Sequence, residues 1–490
     1  MTLSPPAAVS GGAGALLIAG TTSDAGKSVV TTGLCRAFAR RGIRVAPFKA
    51  QNMSNNSMVC GTGDGRFAEI GRAQWVQALA AGVTPDAAMN PVLLKPGSDQ
   101  RSHVVLRGQP AGAIDSADWQ TGRDHLARTA YAAYDELAAH FEVVLAEGAG
   151  SPAEINLREH DYVNMGLARH AGMPVVVVGD IDRGGVFAAF YGTVALLEPA
   201  DQALVAGFVV NKFRGDRRLL SPGLEQIQSL TDRRVFGVLP WDAALWLDSE
   251  DALDLDGRRS ASGPGFRVAV VRLPRISNFT DVDALGLEPD LDVVFASGPR
   301  DIADADLVVV PGTRATLADL GWLRDRGLAD AIVAHARRGR PVLGICGGFQ
   351  MLGRRIRDAD GVEGPAGTVV DGLGLLDVRT DFAAHKTLGL PAGTFGGVPV
   401  GGYEIHHGTV TAGPAVTEFP GGARSGQVFG TMWHGSLEGD AFRGAFLAEV
   451  LQRPPSQVSF PAAREARLDR LADLVEEHLD VPALVALAGR

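Results

Sequence analysis

Eight short apolar runs constrain the fold of this chain more than any other feature. They read ALLIAG (15–20), EVVLAEGAG (142–150), PVVVVGD (174–180), ALVAGFVVN (203–211), FRVAVVRL (266–273), LDVVFAS (291–297), ADLVVVPG (305–312) and RPVLGIC (340–346). None alternates apolar with polar residues, and each is followed by a loop and a helix-like stretch. Strands of this kind are buried on both faces, as in a parallel sheet flanked by helices. The polar, Gly/Ser-rich stretch LDLDGRRSASGPG separates the first four runs from the last four. A chain of 490 residues exceeds what one hydrophobic core supports. The expected layout is therefore α/β throughout: a first domain over residues 14–252, a linker over 253–265, a second domain over 266–450 and a helical tail over 451–490.

The net charge of −10 and the lack of a dense Lys/Arg run argue against nucleic acid as the main partner. The first twenty residues have no basic segment, and their apolar stretch is too short for a signal peptide or a membrane span. Three cysteines, Cys35, Cys60 and Cys346, give neither a disulfide framework nor paired metal-ligand spacing. The expectation is a cytoplasmic enzyme with no membrane partner and no prosthetic group.

The first run leads into GTTSDAGKS (20–28) and then a helical stretch, SVVTTGLCRAFARRG. This is the strand–loop–helix layout that presents backbone N–H groups and a helix N-terminus to phosphate. A Walker A loop places four residues between its glycines, whereas Gly20 and Gly26 enclose five. The working parts remain: Lys27 to reach the terminal phosphates and Ser28 to offer a hydroxyl to Mg²⁺. Glu147 ends a buried strand before a Gly-rich turn, at the sheet edge where ligand crevices open. Its carboxylate suits either Mg²⁺ or a helix cap, and Mg²⁺ is the favoured reading. Glu69 is a weaker metal candidate, because a Glu within the helix-like FAEIGRAQWVQ is commonplace on a surface. Asp180, Asp182 and Arg183 follow PVVVVG, and a plain sheet-edge ion pair would account for them equally well.

The loop with five residues between its glycines is similar to that of dethiobiotin synthetase, a superfamily that activates carboxylates with ATP. The stretches FKAQNMSNNS (48–57), EIGRAQWVQALAAG (69–82), MNPVLLKP (89–96), EGAGSPAEINL (147–157), GDIDRGGVFA (179–188) and NKFRGD (211–216) resemble the cobyric acid synthase family more narrowly. The resemblance implies an ATP site formed by Gly20, Thr21, Asp24, Gly26, Lys27, Ser28 and Asn211, with Asn211 facing the adenine. It implies a substrate and phosphate region of Lys49, Gln51, Asn52, Asp180, Asp182 and Arg183, and a Mg²⁺ site of Ser28, Glu69 and Glu147. Lys49 would there stabilise charge developing on an acyl phosphate.

The last apolar run enters RPVLGICGGFQMLG (340–353), a nucleophile elbow with cysteine in place of serine. The turn lifts the side chain of Cys346 out of the sheet, and the N-terminus of the following helix favours the thiolate. His434, in GTMWHG, is the candidate base at the end of another strand-like run. Gly347 follows the nucleophile and Gly312 lies in PGTRAT; both suit an oxyanion hole. Elbow, PGT loop and histidine occur in the order known from class I glutamine amidotransferases, which implies a flavodoxin-like second domain. Most members of that class carry Glu two residues after the histidine, whereas this chain has Ser436, with Glu438 two places further on. Cobyric acid and cobyrinate a,c-diamide synthases lack that acid, so the departure fits the narrower family. It leaves the group that orients His434 open. Glu404, His406 and His407 are candidates to line the glutamine pocket.

The activity implied is ATP- and glutamine-dependent amidation of the b, d, e and g carboxylates of adenosylcobyrinic acid a,c-diamide, a corrinoid, to give adenosylcobyric acid in cobalamin assembly. Two alternatives stay beside it. The cobyrinic acid a,c-diamide synthases share both domain types, but RLPRISNFTDVDAL (272–285) and QNMSNNS favour the cobyric acid family. A P-loop partitioning or scaffold ATPase would use residues 16–240 alone, leave Cys346 and His434 without a role, and typically carry a lysine early in the loop, near Thr22.

Overall fold

The computed structural model describes residues 13–96, 101–115, 123–242, 245 and 265–489. Most of the expected linker, 253–264, lies outside them. The first four apolar runs form strands of one six-stranded sheet. Its order is Arg234–Pro240, Val205–Phe213, Val175–Asp180, Gly14–Gly20, Val143–Glu147 and Val45–Phe48, with all neighbours parallel. The strand Gly14–Gly20 is central, with neighbours Val175–Asp180 on one side and Val143–Glu147 on the other. Leu16, Leu17, Ile18 and Ala19 have no exposed surface, as a strand covered by helices on both faces requires.

The last four runs build a seven-stranded sheet in the order Leu291–Ala296, Phe266–Val271, Leu307–Val310, Val342–Ile345 and Val428–Thr431, then Gly422–Ser425 and Thr417–Phe419. The first five are parallel and the last two antiparallel. Antiparallel pieces decorate both sheets. In the first domain they include the hairpin Ser57–Gly61 with Phe67–Gly71, and in the second the long pair Val378–Gly389 and Glu404–Ala412. These two pairs pack against each other across the domain boundary. The segment expected as a helix around Glu69 is a strand as far as Gly71, and the helix begins only at Arg72.

The tail forms two helices, Phe460–His478 and Val481–Leu487, and returns to the first domain. Leu468, Leu471 and Val475 join the apolar cluster that contains Leu16, Ile18 and Leu34. Gly33 lies at the crossing of Lys27–Arg40 with Phe460–His478; a Cβ there would stand 2.5 Å from Val475 Cγ2. Arg36 and Arg40 pair with Asp469 at 2.9 and 3.0 Å on the partly exposed rim, where such bridges add little. Apolar contact therefore fixes the tail. Leu471→Ala is expected to destabilise the first domain by about 2–5 kcal/mol. A urea midpoint unchanged from the parent, with unaltered amide exchange in residues 27–40, would show that the tail is not part of that core.

Candidate active sites

Four neighbouring strands bring their carboxyl ends to one place on the first sheet. Gly20 is in register with Val178, Ile18 with Glu147, and Asp180 with Asn211. The loop from Thr21 to Gly26 leaves the central strand there, and Lys27 opens the helix Lys27–Arg40. Gly26 has φ +92°, and a Cβ on it would lie 2.0 Å from Asn211 Nδ2, so geometry demands glycine twice over. Gly20 is also constrained, since its Cβ would meet Lys27 Cγ at 2.9 Å. The Lys27 ammonium donates to the carbonyls of Thr22 at 2.8 Å, Ser23 at 3.0 Å and Gly150 at 3.2 Å.

Glu147 is fully buried beside this loop. One of its oxygens accepts from the Ser28 hydroxyl at 2.8 Å and the Lys49 ammonium at 3.0 Å, the other from Gln77 at 2.6 Å. Burial alone would raise its pKa, but Lys49, Gln77 and Ser28 together hold it below the usual carboxylate range. Ser28 and Glu147 thus place two hard oxygens side by side, a donor set that fits Mg²⁺, which takes few protein oxygens and fills the rest of its shell from phosphate and water. Asn211 donates to the Ala25 carbonyl at 3.0 Å. Asp180 pairs with Lys212 at 2.9 Å, Arg183 with Asp24 at 3.0 Å, and Asp182 with Arg214 at 3.1 Å. Gln51 and Asn52 lie on the short strand Gln51–Met53, where Gln51 accepts from Tyr162 and Asn52 donates to Gln74 at 3.0 Å.

Glu69 does not belong with this group. It has no exposed surface, and its carboxylate is taken up by Ser57, Lys95 and Lys386 at the boundary between the domains. The Ser28 hydroxyl bonds to Glu147, whereas Glu69 is gathered with Ser57, Lys95 and Lys386 at the domain boundary, so the structure does not bring Glu69 together with the other two expected metal ligands.

On the second sheet, Val342–Ile345 and Val428–Thr431 are parallel neighbours, with Ile345 in register with Thr431. Cys346 directly follows one strand and His434 follows the other, which is how residues far apart in the chain meet. Cys346 has φ +50° and ψ −110°, a strained conformation for a non-glycine residue and the mark of an elbow. The loop carrying Gly312 follows the neighbouring strand Leu307–Val310. A Cβ on Gly312 would be 2.9 Å from His434 Cε1, and one on Gly347 would be 2.8 Å from Thr313 Cγ2. Both candidate oxyanion glycines therefore sit against the Cys346–His434 pair.

The orienting acid missing from the sequence reading is Asp281. Its Oδ2 lies 2.7 Å from His434 Nδ1, and its Oδ1 accepts from the Gly435 N–H at 2.8 Å. Both side chains are almost completely buried. Desolvation opposes a charged imidazole there, but Asp281 and Cys346 outweigh it and raise His434 to about 10. Asp281 stands on a short 3₁₀ turn, Phe279–Val282, inside the RLPRISNFTDVDAL stretch. Glu438 cannot take this part, because Arg72 and Arg464 each hold it at 2.7 Å. Among the pocket candidates, His406 and His407 line the cleft at Cys346 together with Gln350 and Glu363. Burial lowers both histidines to about 4, so they stay neutral at neutral pH. Glu404 instead accepts from Trp433 Nε1 at 3.0 Å.

Replacing Asp281 with Asn removes the carboxylate that raises His434. The His434 pKa is then expected to fall from about 10 towards or below its ordinary value of 6.5, as followed by the NMR shift of a labelled imidazole. A folded-state pKa raised in this way adds stability that is full below 6.5 and fades as pH climbs through 10. The variant should lose that dependence; an unchanged titration of His434 would remove Asp281 from its assigned place.

Residues 267–442 match the family described as "CobB/CobQ-like glutamine amidotransferase domain", and residues 16–254 match the "CobQ/CobB/MinD/ParA nucleotide binding domain". Similar curated proteins are named "Cobyric acid synthase". Those of Mycolicibacterium gilvum and Mycobacterium ulcerans are each 72% identical over 473 residues, covering 96% of both chains. That of Mycobacterium tuberculosis is 71% identical over 475 residues with the same coverage. With a nucleotide-binding domain, an amidotransferase domain and this identity across almost the whole length, the chain belongs to the cobyric acid synthase family.

Proposed function

We propose that the chain amidates the b, d, e and g carboxylates of the corrinoid adenosylcobyrinic acid a,c-diamide, using ATP, Mg²⁺ and ammonia released from glutamine. The observation that supports this most directly is Cys346 on a strained elbow beside His434, whose Nδ1 is engaged by Asp281. That trio has no use in a partitioning ATPase.

In the glutamine half-reaction the Cys346 thiol passes its proton to His434 and the sulfur attacks the side-chain carboxamide carbon. Gly347 and Gly312 offer backbone N–H groups to the oxyanion. His434 gives a proton to the departing nitrogen, ammonia leaves, and a thioester remains. Water, deprotonated by His434, releases glutamate and restores the thiol. Asp281 keeps the imidazole in the orientation that points Nε2 at the sulfur, the role an acid takes in related triads.

In the synthetase half-reaction the corrinoid carboxylate takes the terminal phosphoryl group of ATP, and ammonia then displaces phosphate from the acyl carbon to form the amide. Phosphate is a far better leaving group than oxide, which is what activation supplies. Lys27 leaves its carbonyl contacts to meet the terminal phosphates, and the loop N–H groups with the helix N-terminus hold the rest. Lys49 faces the charge that develops on the acyl phosphate. Ser28 and Glu147 would hold Mg²⁺, whose charge offsets that of the phosphates when bound. Asp180, Asp182 and Arg183 lie on the adjoining strand end, on the side where the acid substrate would approach.

Cys346→Ala is expected to abolish amidation driven by glutamine, a fall of at least about 10³-fold, while amidation with free ammonia continues. Product masses read the outcome, each amidation lowering the corrinoid by about one mass unit. Full glutamine-dependent activity in that variant would overturn the two-site reading.

A further inference from the structure

The cleft at Cys346 is not built by the amidotransferase domain alone. Lys95, from the strand Val92–Pro96 of the nucleotide-binding domain, lines it together with Lys386 and Arg314 of the other domain. The two lysines are joined by Glu69, whose Oε1 accepts from Lys95 at 2.5 Å and whose Oε2 accepts from Lys386. Ser57 completes the cluster, donating to Glu69 at 2.8 Å and accepting from Lys95 at 2.8 Å. Its backbone N–H donates at 2.9 Å to Asn278, which also lines the cleft three residues before Asp281.

Apart from the group formed by Cys346, His434 and Asp281, charge at the Glu69 end of this cleft does not balance. Lys95, Lys386 and Arg314 contribute three cations, against the carboxylates of Glu69 and Glu363. His406 and His407 add none, because burial keeps them neutral. Burial also raises Glu363 to about 7, which weakens the negative side further, and Arg314 Nε has no hydrogen-bond partner. Lys95 is lowered to about 8, by desolvation first and then against the pull of Glu69 by the nearby Lys386 and Arg314. A surplus buried cation is costly unless an anion joins it. Glutamine carries one, its α-carboxylate, at the end of the molecule away from the carboxamide that Cys346 attacks.

We propose that Lys95 is part of the glutamine site: with Lys386 it supplies the positive charge for the α-carboxylate of glutamine, and Glu69 is the positioning residue that holds both ammonium groups at the cleft. The glutaminase site is then complete only when both domains are present. This rests on the glutamine-dependent reading above.

The test uses the full chain and compares glutamine with its α-carboxamide analogue, which keeps the reacting side chain and lacks the carboxylate. The parent protein is expected to favour glutamine in kcat/KM for ammonia release. In Lys95→Met and Lys386→Met that preference should shrink by about 10- to 100-fold, the size of one lost charge-assisted contact, through KM for glutamine. Lys95→Arg should recover most of it, and Glu69→Gln should show a partial loss. An unchanged preference in both methionine variants overturns the proposal. So does loss of ammonia-driven amidation in step with glutamine use, since the lysines would then be supporting the fold. If the parent releases no ammonia from glutamine at all, the reading of the Cys346 site fails instead.

Discussion

Both candidate sites depend on one constraint: parallel strands buried on both faces can meet solvent only at their ends. Along their length the strands satisfy one another's backbone groups and carry Val, Leu, Ile and Ala, as at 16–19 and 307–310. Polar side chains are therefore concentrated at the carboxyl edge, and adjacent strands deliver theirs to the same spot. Gly20, Glu147 and Asp180 converge this way in the first sheet, and Cys346, His434 and the Gly312 loop in the second. The 88-residue gap between Cys346 and His434 disappears in the register of two neighbouring strands.

How much of this was legible follows from how local each feature is. The phosphate loop and the cysteine elbow are encoded in a strand, a turn and a helix that are consecutive in sequence, so their residues declare themselves. Asp281 is different. It reaches His434 from 153 positions away by way of a short turn, and nothing in its own neighbourhood separates it from Asp283. The readable hint was an acid-bearing loop directly after the first strand of the second sheet, where carboxyl-edge residues collect. FAEIGRAQWVQ carries apolar residues at helical spacing, which is why Glu69 reads as helical although it lies on a strand. Gly71 in its middle was the signal for a break, and a Cβ there would stand 2.8 Å from atoms of Asn52, Asn90 and Gln74.

Domain boundaries in sequence also understate how far the two halves share structure. The tail crosses back to cover the helix after the phosphate loop. Tyr403 stacks on His434 with ring centroids 5.3 Å apart, and its backbone exchanges both hydrogen bonds with His434. The same Tyr403, with Ile405, packs into the apolar cluster of the nucleotide-binding domain. The candidate base His434 is thus braced by a residue embedded in the core of the other domain, and Arg72 with the part-buried Glu438 adds an ion pair close by.

Such ion pairs deserve a physical reason, because buried charges are poor sources of stability. Taking Lys49 and Glu147 out of water costs more than their attraction returns unless other donors help, and apolar residues of similar size would serve a core as well or better. Glu147 does have help, from Ser28 and Gln77, so the carboxylate is kept ionised where an apolar site would protonate it. Asp281 likewise spends both oxygens, on His434 and Gly435. In each case a buried acid has both oxygens hydrogen-bonded, Glu147 at a strand end and Asp281 on a short turn, and each faces a cationic or titratable partner, Lys49 or His434. Stability alone would not select that arrangement; a fixed charge in a dry site, set before any substrate arrives, is what it provides.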